Sequence, residues 1–444
     1  MKTTRAHLIN QTGSFTSLDD WLEWLETLSP QEIDLGLDRV TAVLKRLELR
    51  RAERVINVAG TNGKGSSVAM LEALLANGGY KTACYTSPHV LRYNERIRID
   101  GLLASDAEII SAFQRVQSAR LDVPLTYFEF GTLAALVAFA ESAADTLILE
   151  IGMGGRLDAV NAVEPDACLI TNIALDHTAW LGIDIESIAA EKAGIMRASK
   201  PVIYGAEESP GAITRQAANI GADLRLAGKD FGFEKNNDAL SSWSWHGRQT
   251  RLAGLSPPAL AGRIQIQNAA AVLAVIEAMG LEQILTTAQV NDAFGKLSLP
   301  GRFQVINSRR TWVLDVAHNP AAAAVLAASL QDLSQRGGIT AVVGMLADKD
   351  VQGIVEPLSK LVDAWIAVPL QATRAEPVAS LAQKIANCSM KPCRIAETIV
   401  GALELAERRA AADELILVTG SFYAVGPALQ WLQQASAVAG EKPA

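Results

Sequence analysis

Cysteine is scarce: the 444 residues hold four, Cys84, Cys168, Cys388 and Cys393, scattered without pairing or metal-ligand spacing. Cys84 and Cys168 sit inside apolar, strand-like runs, so the plain reading is buried, reduced thiols and not disulfides or a thiolate metal cage. Long basic runs are also missing. Lys and Arg total 40 against 48 Asp and Glu, a net charge of −8, which argues against a nucleic-acid partner gripped through its phosphates. No uncharged apolar run approaches the ~18 to 20 residues of a membrane helix. The opening MKTTRAHLINQTGS lacks the apolar stretch that a secretory signal needs, so a cytoplasmic protein with no membrane partner is expected. There is no internal repeat, and the alanine runs at 321–324 and 410–412 read as helix-forming segments, not low-complexity tracts.

What the chain does contain is apolar sequence, 49% hydrophobic residues with 20% charged, the balance of a well-buried globular protein. Its length exceeds one ordinary core, so two or three domains are expected. Leu18, Trp21, Leu25 and Leu28 recur at helical spacing behind the start signal of Ser17 and Asp20. Strand-like and helix-like runs then alternate: RVINVAG, a helix over Ser66 to Asn77, KTACYTS, a helix around Asp106 to Ala119, the apolar Gly131 to Ala140, TLILEIG and ACLITNIA. Such alternation implies a mostly parallel sheet covered by helices. Asp223 to Leu255, with SSWSWHG, reads instead as antiparallel hairpin material. Trp243 and Trp245 fit packing on a small sheet better than a base-stacking platform. Pro300-Gly301 breaks the pattern before a second set of strands, FQVINS, TWVLDVA, ITAVVGML, DAWIAVPL and ELILVTGS. The expected fold class is α/β: a P-loop-type, mostly parallel sheet with flanking helices and a small antiparallel subregion over 1–299, plus a smaller Rossmann-like α/β domain over 300–444.

The sharpest local signal is VINVAGTNGKGSSVAML, residues 55–71. It departs from the general phosphate-loop pattern: Gly63-Lys64 is followed by Gly65, Ser66 comes one place late, and Val58 stands where the leading glycine belongs. The physics is nevertheless that of an anion site. Val55, Ile56 and Val58 make a short buried strand, and Val68, Leu71 and Leu75 give the next helix an apolar face. Between them Gly60, Gly63 and Gly65 let the chain turn tightly and present unpaired N–H groups at a helix N-terminus. Lys64 adds a point charge for a β- or γ-phosphate. The plainer alternative is a glycine turn with a solvated lysine; the order strand, loop, lysine, hydroxyl, helix favours phosphate.

Other polar residues fall past strand ends, where ligands bind in open parallel sheets. They are Ser87 after CYTS, Glu150 at the end of TLILE, and Asp176 with His177 in CLITNIALDH. A carboxylate, a hydroxyl and an imidazole near Lys64 would suit Mg²⁺ held between protein and phosphates. Histidine is an unusual Mg²⁺ ligand, so His177 stands open between ligand and structural partner, and a lone acid after a strand is often a helix cap. In TWVLDVAHNP, Asp315 and His318 again lie past a strand and Asn319-Pro320 starts a helix; capping is the more frequent explanation there. IGMGGRLDAVN (151–161) is glycine-rich without being the dinucleotide fingerprint.

In order along the chain, GTNGKGS (60–66), TSPH…NERIRI (86–99), LTYFEFGT (125–132), EIGMGGRLDAVN (150–161), TNIALDHTAWLG (171–182), AAEKAGI (189–195), PGRF (300–303), DVAHNP (315–320) and GMLADKD (344–350) resemble the folylpolyglutamate synthase/dihydrofolate synthase family, a branch of the Mur ligase superfamily. The match runs from IDLGLDRV (33–40) to VTGSFYAVG (418–426), and the family's loop has the same late hydroxyl. The resemblance implies an ATP-dependent carboxylate–amine ligase that joins L-glutamate to dihydropteroate and to the γ-carboxylate of reduced folates through an acyl phosphate. It implies ATP contacts from Thr61, Asn62, Gly63, Lys64, Gly65, Ser66, Asn268, Arg302 and Asp315, and Mg²⁺ ligation by Ser87, Glu150 and His177. Lys192 matches a lysine that relatives carry carbamylated, where it supports a second Mg²⁺; an ordinary cationic lysine is the alternative. Lys64, Lys192 and His318 are the implied catalytic residues. Asp34, Leu35, Gly36, Thr126, Tyr127, Phe128, Glu129, Leu157, Asp158 and Ala159 are the implied substrate contacts, with Leu125 to Gly131 as a pterin-side loop. Arg302 on the linker implies closure onto ATP, with Pro300 and Gly301 as hinge elements. Relatives also imply a monomer.

Two rivals share parts of this pattern. A peptidoglycan-type Mur ligase would carry a UDP-binding domain before the loop, and only 59 residues precede Gly60. A nucleotide switch would need no second α/β domain bringing Arg302 and Asp315 to the phosphates. One of the two ligations alone, or another Mur-type amino-acid ligase, stays open at this stage.

Overall fold

The computed structural model describes residues 15–29, 33–235, 242–262, 264–333, 337–411 and 413–439. The opening segment, on which the expected lack of a secretory signal rests, lies outside them, as does Ala412 of the second alanine run. The chain divides into two compact units. The first comprises the residues up to Ile173, Glu186–Ser256 and Asn268–Ala293; the second comprises Ala174–Ile185, Pro257–Gln267 and the residues from Phe294 onward.

The first unit is built on an eight-stranded sheet of β1 (Arg54–Ala59), β2 (Thr82–Tyr85), β3 (Ile97–Ile99), β4 (Leu102–Leu103), β5 (Thr146–Glu150), β6 (Ala167–Ile170), β7 (Pro201–Tyr204) and β8 (Asp223–Leu226). Their order is β4-β3-β2-β5-β1-β6-β7-β8. From β2 to β8 the neighbours pair parallel, and β3 and β4 add an antiparallel edge. The central strands are buried on both faces, with Val55, Ile56, Val58 and Ile148 fully covered. This explains why they read as continuous apolar runs and not as alternation. The expected α/β class with its mostly parallel sheet is therefore what the chain forms.

Three local readings change. Asp223–Leu226 does not join the antiparallel region; it is β8, a parallel edge strand on β7. Its half-buried residues give it the mixed polarity that made it read as a hairpin arm. The antiparallel sheet is limited to β9 (Gly232–Lys235), β10 (Trp243–His246) and β11 (Arg251–Leu255). There Trp243 and Trp245 are buried, donating their indole N–H groups to Ser256 O and Ala270 O at 3.0 Å. Second, the expected pterin-side loop stops at Thr126. A capping box, Thr126 Oγ1 accepting from Glu129 N at 3.2 Å and Glu129 Oε2 from Thr126 N at 2.7 Å, starts the helix Tyr127–Ser142. Gly131 to Ala140 lie inside that helix, apolar all round because it is buried all round. Third, the phosphate-loop helix begins at Lys64, two residues earlier than its apolar face suggests.

The N-terminal helix Leu18–Leu28 forms as expected, with Ser17 Oγ accepting from Asp20 N at 3.2 Å. Its Trp21 packs on Phe113 and Phe130 with ring centroids 5.6 and 6.4 Å apart, contacts each worth about 0.5–1.5 kcal/mol beyond simple area burial.

The second unit carries a six-stranded sheet of β12 (Gln304–Asn307), β13 (Thr311–Leu314), β14 (Ile339–Val343), β15 (Ala364–Ala367), β16 (Cys393–Ile395) and β17 (Leu415–Thr419). Its order is β12-β13-β17-β14-β15-β16, parallel except for the β12–β13 hairpin. Trp312 and Trp365 fill its core. β16 escapes a sequence reading because it is three residues long and largely exposed. All four cysteines are free thiols, but Cys388 and Cys393 are only half-buried, against the expectation. No helix of the described residues is long and apolar enough to cross a membrane.

Candidate active site

The loop between β1 and the helix Lys64–Asn77 is shaped by glycine. Gly60 has φ 145°, and a Cβ there would stand 1.8 Å from Thr171 Oγ1. Gly63, at φ 83°, is the residue on which the helix starts, and a Cβ there would press 2.8 Å from Asn268 Oδ1. Asn268 therefore lies against the loop. The residues just past β6 clamp the loop from below. Thr171 Oγ1 donates to Asn62 O at 2.6 Å, Asn172 Nδ2 to the same oxygen at 2.9 Å, and Asn62 N to Asn172 Oδ1 at 3.1 Å. Ser66 is buried in the first turn of the helix.

Two lysines converge on one carbonyl. Lys64 Nζ donates to Gly60 O at 3.2 Å and Thr61 O at 3.3 Å, and Lys192 Nζ, from the helix Ile185–Ala193, donates to Gly60 O at 3.1 Å. Lys192 is buried. Two ammonium groups sharing a single carbonyl oxygen, beside the N-terminus of a helix, make a strongly anion-receptive corner.

Glu150 closes β5 and is buried, and its Oε2 accepts from the Ser87 backbone N at 3.3 Å, which brings these two residues together in the first unit. Carboxylate and hydroxyl oxygens are the donors a hard divalent cation prefers. Among the described residues no group of three or more His, Cys, Asp and Glu side chains could cage a metal, so an ion here would rely on phosphate or water oxygens. His177 belongs to the second unit, where it precedes the short helix Thr178–Leu181 at φ 51°.

The implied substrate segments are tied together by a residue the sequence did not single out. Arg39 Nη1 pairs with Asp34 Oδ2 at 2.7 Å, and its Nε donates to both Glu129 oxygens at 3.1 and 3.2 Å. Thus Asp34, with Leu35 and Gly36 behind it, is joined to the start of the Tyr127–Ser142 helix, and the Glu129 carboxylate is engaged by Arg39 and its own helix cap. Phe128 covers Gly152, where a Cβ would stand 2.5 Å from the ring. Tyr127 faces the buried Arg96, whose guanidinium lies 5.7 Å from its ring and donates to His89 Nδ1 at 2.9 Å. Leu157 precedes Asp158, which caps the single turn Ala159–Ala162 and accepts from Met153 N and Val160 N. Burial outweighs those hydrogen bonds and the Lys64 charge and pushes the Asp158 carboxyl up to about 7.

In the second unit the hub is Asp176. Lys349 Nζ reaches Asp176 Oδ1 at 2.6 Å, Asn319 Nδ2 donates to Oδ2 at 3.0 Å, and His318 Nε2 lies 3.5 Å from Oδ2. Burial alone would raise this carboxyl. The His318 hydrogen bond and the charges of His177 and Lys349 overcome that and hold it well below the usual carboxylate range. Asp315 accepts from Phe303 N and Ala317 N at 2.8 Å, and burial raises its carboxyl despite those bonds and the nearby Arg302. Arg302 lies 5.0 Å over the Phe422 ring. The helix after TWVLDVAHNP is capped by Asn319, whose Oδ1 accepts from Ala322 N at 2.9 Å, so the capping role falls to neither Asp315 nor His318. Lys349 and Asp176 sit in GMLADKD and LDH; only the fold reveals that they pair.

A parallel sheet with a helix-starting lysine loop, hard oxygens at the neighbouring strand end and a separate parallel sheet behind an antiparallel hairpin define a Mur-ligase-type enzyme. The Mur ligase middle domain family matches residues 58–276, and the Mur ligase glutamate ligase domain family matches residues 301–422. The chain is 40% identical over 425 residues to the dihydrofolate synthase/folylpolyglutamate synthase of Escherichia coli strain K12, covering 95% of this chain and 97% of that one. It is similar to the solved structure of E. coli FolC in complex with DHPP and ADP, with TM-score 0.89 and 39% identity over 95% of this chain and 98% of that one. A bifunctional folylpolyglutamate synthase/dihydrofolate synthase solved with Mn, AMPPNP and L-glutamate bound gives TM-score 0.86 and 40% identity over 94% of this chain and 98% of that one. The chain belongs to the dihydrofolate synthase/folylpolyglutamate synthase family of ATP-dependent ligases.

Proposed function

We propose that this chain uses ATP to add L-glutamate to dihydropteroate and to the γ-carboxylate of reduced folates. The observation that carries the reading is the corner at Gly60, where Lys64 and Lys192 both rest on one carbonyl oxygen at a helix N-terminus. A triphosphate is a far stronger acceptor than that carbonyl. The acceptor's carboxylate oxygen attacks the γ-phosphorus and ADP departs, leaving an acyl phosphate. The glutamate amine then attacks the acyl carbon, a tetrahedral intermediate collapses, phosphate leaves and the amine nitrogen loses its proton. The chain's task is to position these groups and neutralise charge.

Lys64 and the amides of Thr61 to Ser66 hold the β- and γ-phosphates; Asn268, Arg302 and Asp315 hold the rest of the nucleotide. Mg²⁺ is the assigned ion, with Ser87, Glu150 and His177 as ligands, and when bound it neutralises phosphate charge. Carbamylation of Lys192 belongs to the same reading: it would exchange the cationic contact with Gly60 O for a carboxylate available to a second Mg²⁺. His318 acts near the phosphate end. Asp34 to Gly36, Thr126 to Glu129 and Leu157 to Ala159 face the pterin side. Residues 1–299 form the ATP-binding part and 300–444 the glutamate ligase part, in a cytoplasmic monomer.

The test is a parallel assay with dihydropteroate and with a reduced monoglutamyl folate, each with L-glutamate and Mg-ATP. Glutamylated product from both acceptors is expected. Product from one alone reduces the protein to a single ligase.

A further inference from the structure

We propose that the first unit carries a second small-molecule site, at the N-terminal ends of β1 and β5, for a compact aromatic or branched aliphatic molecule bearing one negative charge. A cavity of about 450 Å³ opens there, within the range of true ligand pockets. Its wall is formed by Ala52, Val55, Leu136, Phe139, Ala144 and Leu147, each at most 7% exposed. Those side chains offer no hydrogen bonds, so the floor of the cavity favours an apolar guest.

Charge at the mouth selects the head group. Lys45, Glu48, Arg50, Arg51 and Glu164 stand around it. Arg51 is paired with Asp166 at 2.9 Å, and Glu164 with Arg197 at 2.6 Å. Lys45, Arg50 and Glu48 have no ion-pair partner among the described residues, which leaves the unpaired rim with a surplus positive charge. The complement is an apolar body with an anionic end.

The site is distinct from the phosphate loop. Val55 and Leu147 are partners in register at the start of β1 and β5, while Gly60 and Glu150 lie at the far ends of those strands. Five residues of extended chain separate Val55 from Gly60, about 16 Å. Occupancy is therefore compatible with bound nucleotide and acceptor.

The probe is 1-anilinonaphthalene-8-sulfonate, two aromatic groups with one sulfonate, followed by fluorescence on the full chain saturated with ADP, Mg²⁺ and a reduced folate. One saturable site per chain is expected. Ala140→Trp, which fills the cavity, should weaken binding at least tenfold. The surface variant Lys45→Glu/Arg50→Glu should weaken it about tenfold and leave ligase kcat/KM unchanged. The uncharged N-phenyl-1-naphthylamine should bind at least tenfold more weakly than the sulfonate. Absence of a saturable site in the saturated protein, or affinity indifferent to both variants, overturns the site; equal affinity for the uncharged probe overturns the anionic class.

Discussion

The two units handle charge in opposite ways. At the end of β1 the first unit gathers donors, with Lys64, Lys192 and the first amides of a helix around a single carbonyl oxygen. The second unit gathers donors around a carboxylate of its own, Asp176, which receives Lys349, Asn319 and His318. The Gly60 corner presents its cations beside a helix N-terminus, whereas the cations around Asp176 already hold a carboxylate. The contrast teaches that loss of Lys64 should cost activity and loss of Asp176 should cost stability.

Removing Lys64 is the harshest way to break that comparison. Lys64→Ala should lower kcat by about 10³-fold or more while circular dichroism and melting temperature stay near wild type. Near-normal turnover would remove the loop from the mechanism. Asp176→Ala is the counterpart. It leaves the largely buried Lys349 side chain with Asp348 at 3.9 Å as its remaining carboxylate and should cost about 1.5–3 kcal/mol, read by urea unfolding. The sign with pH follows from the lowered Asp176 carboxyl. Its stabilisation is complete above the unfolded value of about 4 and declines as the pH falls below that. An unchanged acid limb in Asp176→Ala would contradict this.

Asp158 sharpens the comparison from the other side, as a buried acid that feels the Lys64 charge. Its carboxyl is raised to about 7. The folded state therefore binds more protons than the unfolded state between about pH 4 and 7, and wild type loses stability as the pH rises through that range. Asp158→Asn should flatten that slope, a difference of about 1–3 kcal/mol between pH 4 and 7. Superimposable unfolding curves for the two proteins across the range would refute it. The smallest expected effect is Thr171→Val, which removes the hydrogen bond to Asn62 O. It should cost about 1 kcal/mol of stability and raise KM for ATP several-fold with kcat nearly unchanged.

Legibility followed locality. The loop at 60–65, Glu150 at a strand end and the Ser17 cap could all be read because each depends on residues within a few positions. What could not be read depends on distance along the chain. Lys192 reaches Gly60 across 132 residues, and Lys349 reaches Asp176 across 173. Arg39 joins two substrate segments 90 residues apart, and no periodicity announces such a pairing. β8 hides for a different reason: an edge strand is half-exposed, so its polarity mimics a hairpin arm. The helix at Tyr127 was hidden because an all-apolar run has no period, and only the Thr126–Glu129 capping box marks where it starts.

The central claim is that phosphate held at the Gly60 corner is spent on forming an amide. The most direct measurement is phosphate release from ATP with each reactant omitted in turn. Release should require both L-glutamate and a pteroate or folate acceptor, falling to background when either is absent. Release at full rate without glutamate would contradict the ligase account and point to a nucleotide hydrolase.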